Sequence, residues 1–298
     1  MSVQIGVCLP HYGEHLSREL VVRSAQLAEE LGFDSIWTSD HIAISKQFSH
    51  PYGNITESLM TLSYVGGLTE RVKLGTSVIV LPLRNTLQVA KQIATLDFLT
   101  NGRTIIGIGL GWERREFEVM GASYARRGEI IEEQIGVLRN VWRSSEPSFQ
   151  GKYHDIRDVV FSPLPVQSGG PPILMAGNSE RAAARAIRLC YGWHPTGVPV
   201  DKYRDLVEKY GMRREGFILS GRFTIDPDKR TRLFTSHLGD IRVIIGGSVD
   251  EVIEYLSRYV ELGVSNIVVY MGEVKKDEYE RRMRWFMREV SPSIKRGS

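Results

Sequence analysis

Eight times along this chain a short apolar run gives way to a stretch with apolar residues at helical spacing, and that rhythm restricts the available folds more than any single motif does. The pairs fall at 3–9 with 16–31, 35–38 with 56–68, 72–80 with 87–99, and 104–108 with 128–142. They continue at 173–176 with 180–189, 191–194 with 202–210, 217–225 with 249–262, and 266–271 with 279–290. The runs are apolar on successive positions rather than alternate ones, which is the signature of strands covered on both faces. Eight such units predict a closed parallel (β/α)8 TIM barrel. An eight-stranded open sheet satisfies the same alternation, although open sheets usually carry fewer strands.

Residues 144–170 break the rhythm with Phe149, Tyr153, Phe161 and several Pro and Gly, and predict a hairpin-like insertion after the fourth helix of a single 298-residue domain. Residues 230–247 read as a long irregular stretch. With 42% hydrophobic and 24% charged residues the chain has the balance of an ordinary globular protein. Its net charge of +3 is spread over helical segments instead of one basic patch, so nucleic acid is not expected as a partner. Cys8 and Cys190 stand alone, without metal-ligand spacing, and are expected as free, buried thiols with no metal site. No leader and no run of about 18 apolar residues is seen, so the expected compartment is the cytoplasm, with no membrane partner.

In a barrel of this kind chemistry sits at the C-terminal strand ends. The second strand ends in Ser39-Asp40-His41, an acid beside an imidazole that can give or take a proton near neutral pH. An aspartate capping a loop with a histidine packed on it gives the same dipeptide; the barrel position favours chemistry. The third strand, Gly75-Thr76-Ser77-Val78, reads on pattern alone as a well-packed inner strand whose glycine marks a bulge or close approach. After the fourth strand, Gly107, Gly109 and Gly111 alternate before Trp112, but the spacing is not that of a dinucleotide fingerprint. Trp112 stacks on a ligand or covers the barrel mouth, and Glu113 and Glu116 read as surface acids. Gly177-Asn178-Ser179 opens an Ala-rich helix, a place for both a helix cap and an anionic phosphate.

Taken together, residues 31–37, Ser39-Asp40-His41, 75–78, 99–103, 107–112 and Gly263-Val264 resemble the bacterial luciferase-like superfamily of (β/α)8 oxidoreductases. The resemblance spans about residues 3–271 and points to the branch that uses the deazaflavin coenzyme F420. It implies a non-prolyl cis peptide at Ser77-Val78 behind the coenzyme ring, with Thr76, Gly109, Gly111 and Trp112 around it. It also implies Asp40 on the coenzyme, His41 as the catalytic acid or base, and Gly177, Asn178 and Ser179 on the coenzyme phosphate, with Arg127 a weaker contact.

The activity so implied is hydride transfer between F420 and a small organic substrate, in a homodimer. Two other readings stand beside it: an FMN monooxygenase of the same fold, and a catalytically silent barrel that binds a deazaflavin. Sugar-phosphate dehydrogenases of the branch carry a tryptophan loop after the Ser-Asp-His triplet; Ile42-Ala43-Ile44-Ser45 has none, which argues against that substrate. His11, Tyr12, His50, Tyr52 and residues 230–247 are expected on the substrate side.

Overall fold

A computed structural model describes residues 3–296. The strands are β1 Gln4–Cys8, β2 Ser35–Thr38, β3 Lys73–Val80, β4 Thr104–Gly109, β5 Phe149–Gln150, β6 Asp155–Ile156, β7 Ile173–Met175, β8 Gly192–Trp193, β9 Ile218–Asp226, β10 Arg232–Thr235, β11 Ile241–Gly246 and β12 Asn266–Tyr270. Eight of them pair in parallel in the order β1-β2-β3-β4-β7-β8-β9-β12, and β12 returns to β1, so the sheet closes. The TIM barrel is therefore realised and the open sheet is not.

Helices run between the strands and close the outer layer. The first, Arg18–Leu31, shows how the sequence sets their limits: Ser17 accepts from the Leu20 N–H at its start, and Gly32 at φ 79° ends it. The helix Val249–Glu261 begins in a capping box between Ser248 and Glu251. At the other end of the barrel, Arg103 donates to the carbonyls of Gly66, Thr69, Val72 and Thr100, so the 99–103 motif ties two connections together far from the strand ends that matter for chemistry.

The insertion contains the antiparallel pair β5–β6. The stretch 230–247 is not irregular, as its lack of periodicity suggested. β11 joins the end of β9 in parallel and β10 pairs with it antiparallel, forming a ribbon that rises above the barrel. Leu233, Phe234 and Ile241 stay exposed on this ribbon, and although Val243 and Ile245 of β11 are buried, β10 has no buried face from which a strand is recognised. Cys8 and Cys190 are buried and free. Among the described residues no helix is long and apolar enough to cross a membrane.

Inside the barrel Trp37 is fully buried, and two glycines make its space. A Cβ on Gly6 would lie 2.5 Å from the indole nitrogen, and one on Gly75 would fall into the ring. Above that level β3 slips register against β4 between Thr76 and Ile79, and the Ser77–Val78 peptide is cis. The facing glycines accommodate this bulge. A Cβ on Gly107 would land on the Thr76 carbonyl oxygen, and one on Gly109 would lie 2.8 Å from Val78 Cγ2. Gly107→Ala therefore meets backbone and is expected to cost about 1–3 kcal/mol, whereas Gly109→Ala meets a side chain that can rotate and should cost less; urea denaturation of the two variants measures the difference.

Candidate active site

The strand ends of this barrel open into a cavity of about 840 Å³. Of the residues singled out from the sequence, Asp40, His41, Ser77, Val78, Gly111, Trp112, Gly177, Asn178 and Ser179 line it, together with Tyr12 and Tyr52. Thr76 lies behind the wall, fully buried, donating to the Gly107 carbonyl at 2.7 Å. Gly109 stands behind Val78. Arg127 is away from the cavity, stacked on Tyr124 at 3.7 Å and bonded to that residue's carbonyl. His11 is fully buried between the carbonyls of Leu9 and Ser39 and holds the strand ends rather than a ligand. His50 is likewise absent from the wall.

Glu116 and Glu113 are not surface acids. Glu116 is fully buried and Glu113 is 4% exposed. Glu116 Oε1 accepts the N–H groups of Ile42 and Ala43, at 2.6 and 3.2 Å, and Oε2 lies 2.9 Å from His41 Nδ1. A carboxylate facing an imidazole nitrogen requires that nitrogen to carry the proton. Nε2 is then the ring nitrogen of His41 left for the cavity, an acceptor in the neutral imidazole and a donor in the imidazolium. Glu113 accepts from Ser45 and from the Arg115 N–H at 2.9 Å, fixing the same loop.

Asp40 is turned the other way. Its carboxylate accepts from Arg84 at 2.6 Å and from the Val80 N–H at 3.0 Å. Burial pushes its carboxyl up from the usual range, and Arg84 with the Val80 N–H opposes that push. Arg84 also pairs with Glu57 at 2.8 Å. The aspartate consequently pins the end of β3 against the end of β2, with its side chain fully buried although the residue belongs to the cavity wall.

Behind Ser77 lies a polar chain that the sequence did not disclose. Ser77 Oγ is 2.9 Å from His194 Nε2; His194 Nδ1 is 2.6 Å from Ser220 Oγ; Asn266 donates to Ser220 Oγ at 3.0 Å. Donor counting assigns the protons. Ser220, accepting from Asn266, gives its own proton to Nδ1, so Nε2–H donates to Ser77, whose hydroxyl proton is left for the cavity. His194 is stacked on Trp37 with ring centres 5.0 Å apart, and burial first and Arg222 second lower its pKa to about 3. It stays neutral at working pH.

Arg222 crosses from β9 to donate to Ser39 Oγ at 2.9 Å, to the Ser77 carbonyl at 3.2 Å and to Tyr12 Oη at 2.9 Å. The alternation Ser220, Arg222, Thr224 on one face of β9 was the available signal: polar residues at every second position of a barrel strand face inward. At the rim, Trp112 packs against Phe48 and His237, with ring centres 4.7 and 4.3 Å away. Opposite it, Ser179 caps the helix Glu180–Leu189, and Asn178 is held by the Thr196 carbonyl and Asp240, with Lys202 and Arg242 also on the wall.

Two outcomes test this geometry. In Glu116→Gln the amide can donate to Nδ1, so the His41 proton should move to Nε2, read from the imidazole 15N shifts. Because the unfolded chain takes up a proton at His194 near pH 6.5 while the folded one does not until about pH 3, this residue's stabilising contribution is complete above pH 6.5 and is lost as pH falls towards 3. His194→Phe should flatten the acid side of the stability curve by up to about 1.4 kcal/mol per pH unit, measured by denaturation between pH 4 and 6.

Comparison with known proteins agrees with this architecture. The family profile described as luciferase-like monooxygenase matches residues 5–235. An F420-dependent glucose-6-phosphate dehydrogenase of Kineococcus radiotolerans is 33% identical over 200 residues, covering 65% of this chain and 57% of that protein. Among solved structures, an F420-dependent secondary alcohol dehydrogenase in complex with an F420-acetone adduct superposes with a TM-score of 0.78 at 18% identity, over 99% of each chain. The FMN-bound oxygenating constituent of 3,6-diketocamphane monooxygenase from Pseudomonas putida gives 0.74 at 16% identity, over 98% of this chain and 99% of that one. With a closed barrel, a cis peptide on its third strand and a profile match across most of its length, the chain belongs to the luciferase-like monooxygenase family.

Proposed function

We propose that this protein is an F420-dependent oxidoreductase that moves a hydride between the deazaflavin and a small organic substrate. The observation that carries the reading is His41, which lines the cavity with Nδ1 held by the buried Glu116, leaving Nε2 to exchange a proton. A hydride leaving carbon must be accompanied by a proton leaving oxygen or nitrogen, and a neutral imidazole with one free nitrogen is the acceptor for that proton, or its donor in reverse. The F420-dependent relative supports the same choice of coenzyme.

The residues present suit such a coenzyme. Ser77 and Val78 give a firm wall with a hydroxyl donor for a planar ring, and the cavity volume admits a tricyclic ring with substrate. The N-terminus of the helix Glu180–Leu189, with Ser179, Lys202 and Arg242, suits a phosphate. When bound, the coenzyme supplies the hydride chemistry. The chain's own contribution is to hold the ring wall rigid, orient the substrate under Trp112 and Tyr52, and take or give the proton at His41 Nε2.

An FMN monooxygenase is the second reading, favoured by the family's description and by the FMN-bound structural relative. Titration of the protein with F420 and with FMN separates them: saturable F420 binding without FMN binding is expected, and the converse overturns the proposal. His41→Ala should lower turnover by about 10²–10⁴-fold while F420 affinity changes only a few-fold; F420 binding to the unaltered protein without turnover on alcohols, imines or enones would instead indicate a silent binder.

A further inference from the structure

Arg222 is a cation inside the barrel without a counter-ion. Its hydrogen-bond partners, Tyr12 Oη, Ser39 Oγ and the Ser77 carbonyl, are neutral, and its guanidinium lies 5.1 Å from the centre of the Tyr270 ring. Among the described residues no carboxylate is within ion-pair distance of it, whereas the other deeply placed arginine of the site, Arg84, has two. The side chain retains exposure only because it lines the cavity. Removing a charge from water without pairing it is unfavourable by several kcal/mol, and this one is held in place by three hydrogen bonds instead of being allowed to reach solvent.

We propose that Arg222 is an anion seat in the cavity wall, taking a planar, delocalised negative charge: the carboxylate of a substrate or the ring of a reduced flavin-type coenzyme. The inference rests on the cavity being the chamber for coenzyme and substrate. A guanidinium is planar and donates in a fork, which suits a carboxylate or a ring N–C=O edge better than a spherical ion. Tyr12, Ser39 and the Ser77 carbonyl fix the orientation of the fork, and Ser77 ties it to the peptide that forms the ring wall. A charge at this point acts differently on the two halves of the reaction, because accepting a hydride adds one negative charge to the ring.

Two measurements on the unaltered protein decide the matter. Benzoate and its neutral isostere benzamide are titrated by calorimetry onto the protein alone, and the reduction potential of bound coenzyme is compared with that of free coenzyme. Benzoate binding at least tenfold tighter than benzamide, with the preference lost in Arg222→Met and partly kept in Arg222→Lys, identifies a substrate carboxylate. Equal binding of the two, with reduced coenzyme held at least tenfold tighter than oxidised, identifies the ring; this is a potential raised by about 30 mV for a two-electron couple, and Arg222→Met should abolish it. If benzoate shows no advantage and the bound potential is not raised, the anion seat is refuted. Should neither F420 nor FMN bind, the functional reading fails, and the benzoate comparison still decides this one. Guanidinium added to Arg222→Ala should restore whichever preference was lost, which separates loss of the charge from loss of the fold.

Discussion

The site stands on Trp37. An indole in the middle of an eight-stranded barrel needs more room than the layered packing of branched side chains provides, and the chain supplies it by placing Gly6 and Gly75 on the two strands that flank β2. The ring thus becomes a floor, and His194 lies flat on it. With one face on the indole and each nitrogen engaged by a serine, His194 has no rotational freedom, and Ser77 inherits that rigidity. The wall offered to a ligand is in this way the last member of a stack that begins with a packing constraint.

Rigidity on the other side of Ser77 has an electrostatic origin. The end of β3 bulges into the cavity because Gly107 and Gly109 on β4 leave space for it, and Asp40 then holds the returning backbone by its bond to the Val80 N–H. Arg84 neutralises Asp40 and is itself shared with Glu57, so the triad carries one negative charge, with the Asp40 side chain shut from water and Glu57 the most exposed of the three. His41, one residue further on, is fixed by a different acid, Glu116, from the connection after β4. Adjacent residues thus have separate anchors, and the pair that looks like a unit in the sequence divides its work: Asp40 shapes the wall and His41 lines the cavity.

What was legible in the sequence follows from the range of the interactions. Strand and helix rhythm depends on local periodicity, so the barrel could be read, and the Ser-Asp-His segment stood out by position within it, whereas Ser77-Val78 was reached only through the family resemblance. Partner choice across the barrel is not local. Nothing near Glu116 distinguishes it from the exposed Glu118 two residues later; its burial depends on where the loop at 42–43 returns, 74 residues away in the chain. The glycines of β4 were visible, but their reason lies in Val78 and the Thr76 carbonyl rather than in a ligand. His194 follows a two-residue strand, Gly192–Trp193, too short to show which way the next side chain faces. Arg222, by contrast, could have been found, since an arginine between Ser220 and Thr224, alternating with Gly221, Phe223 and Ile225, already places a charge on the inward face of the strand.

The division between wall and rim bears on which part of the site selects a substrate. Floor and wall are built from strand and strand-end residues tied to one another by hydrogen bonds within the barrel, so changing one disturbs several others. At the rim three rings meet, Phe48 from the loop after β2, Trp112 from the loop after β4 and His237 from the turn between β10 and β11, above the hydrogen bonds by which Glu116 and Glu113 tie the first two connections together. These contacts carry no hydrogen bonds between the rings and each involves one residue per loop, so the rim can change while the wall stays as it is. On the proposed function, hydride chemistry rests on the fixed part, and the choice of substrate on the ribbon and the two loops above it.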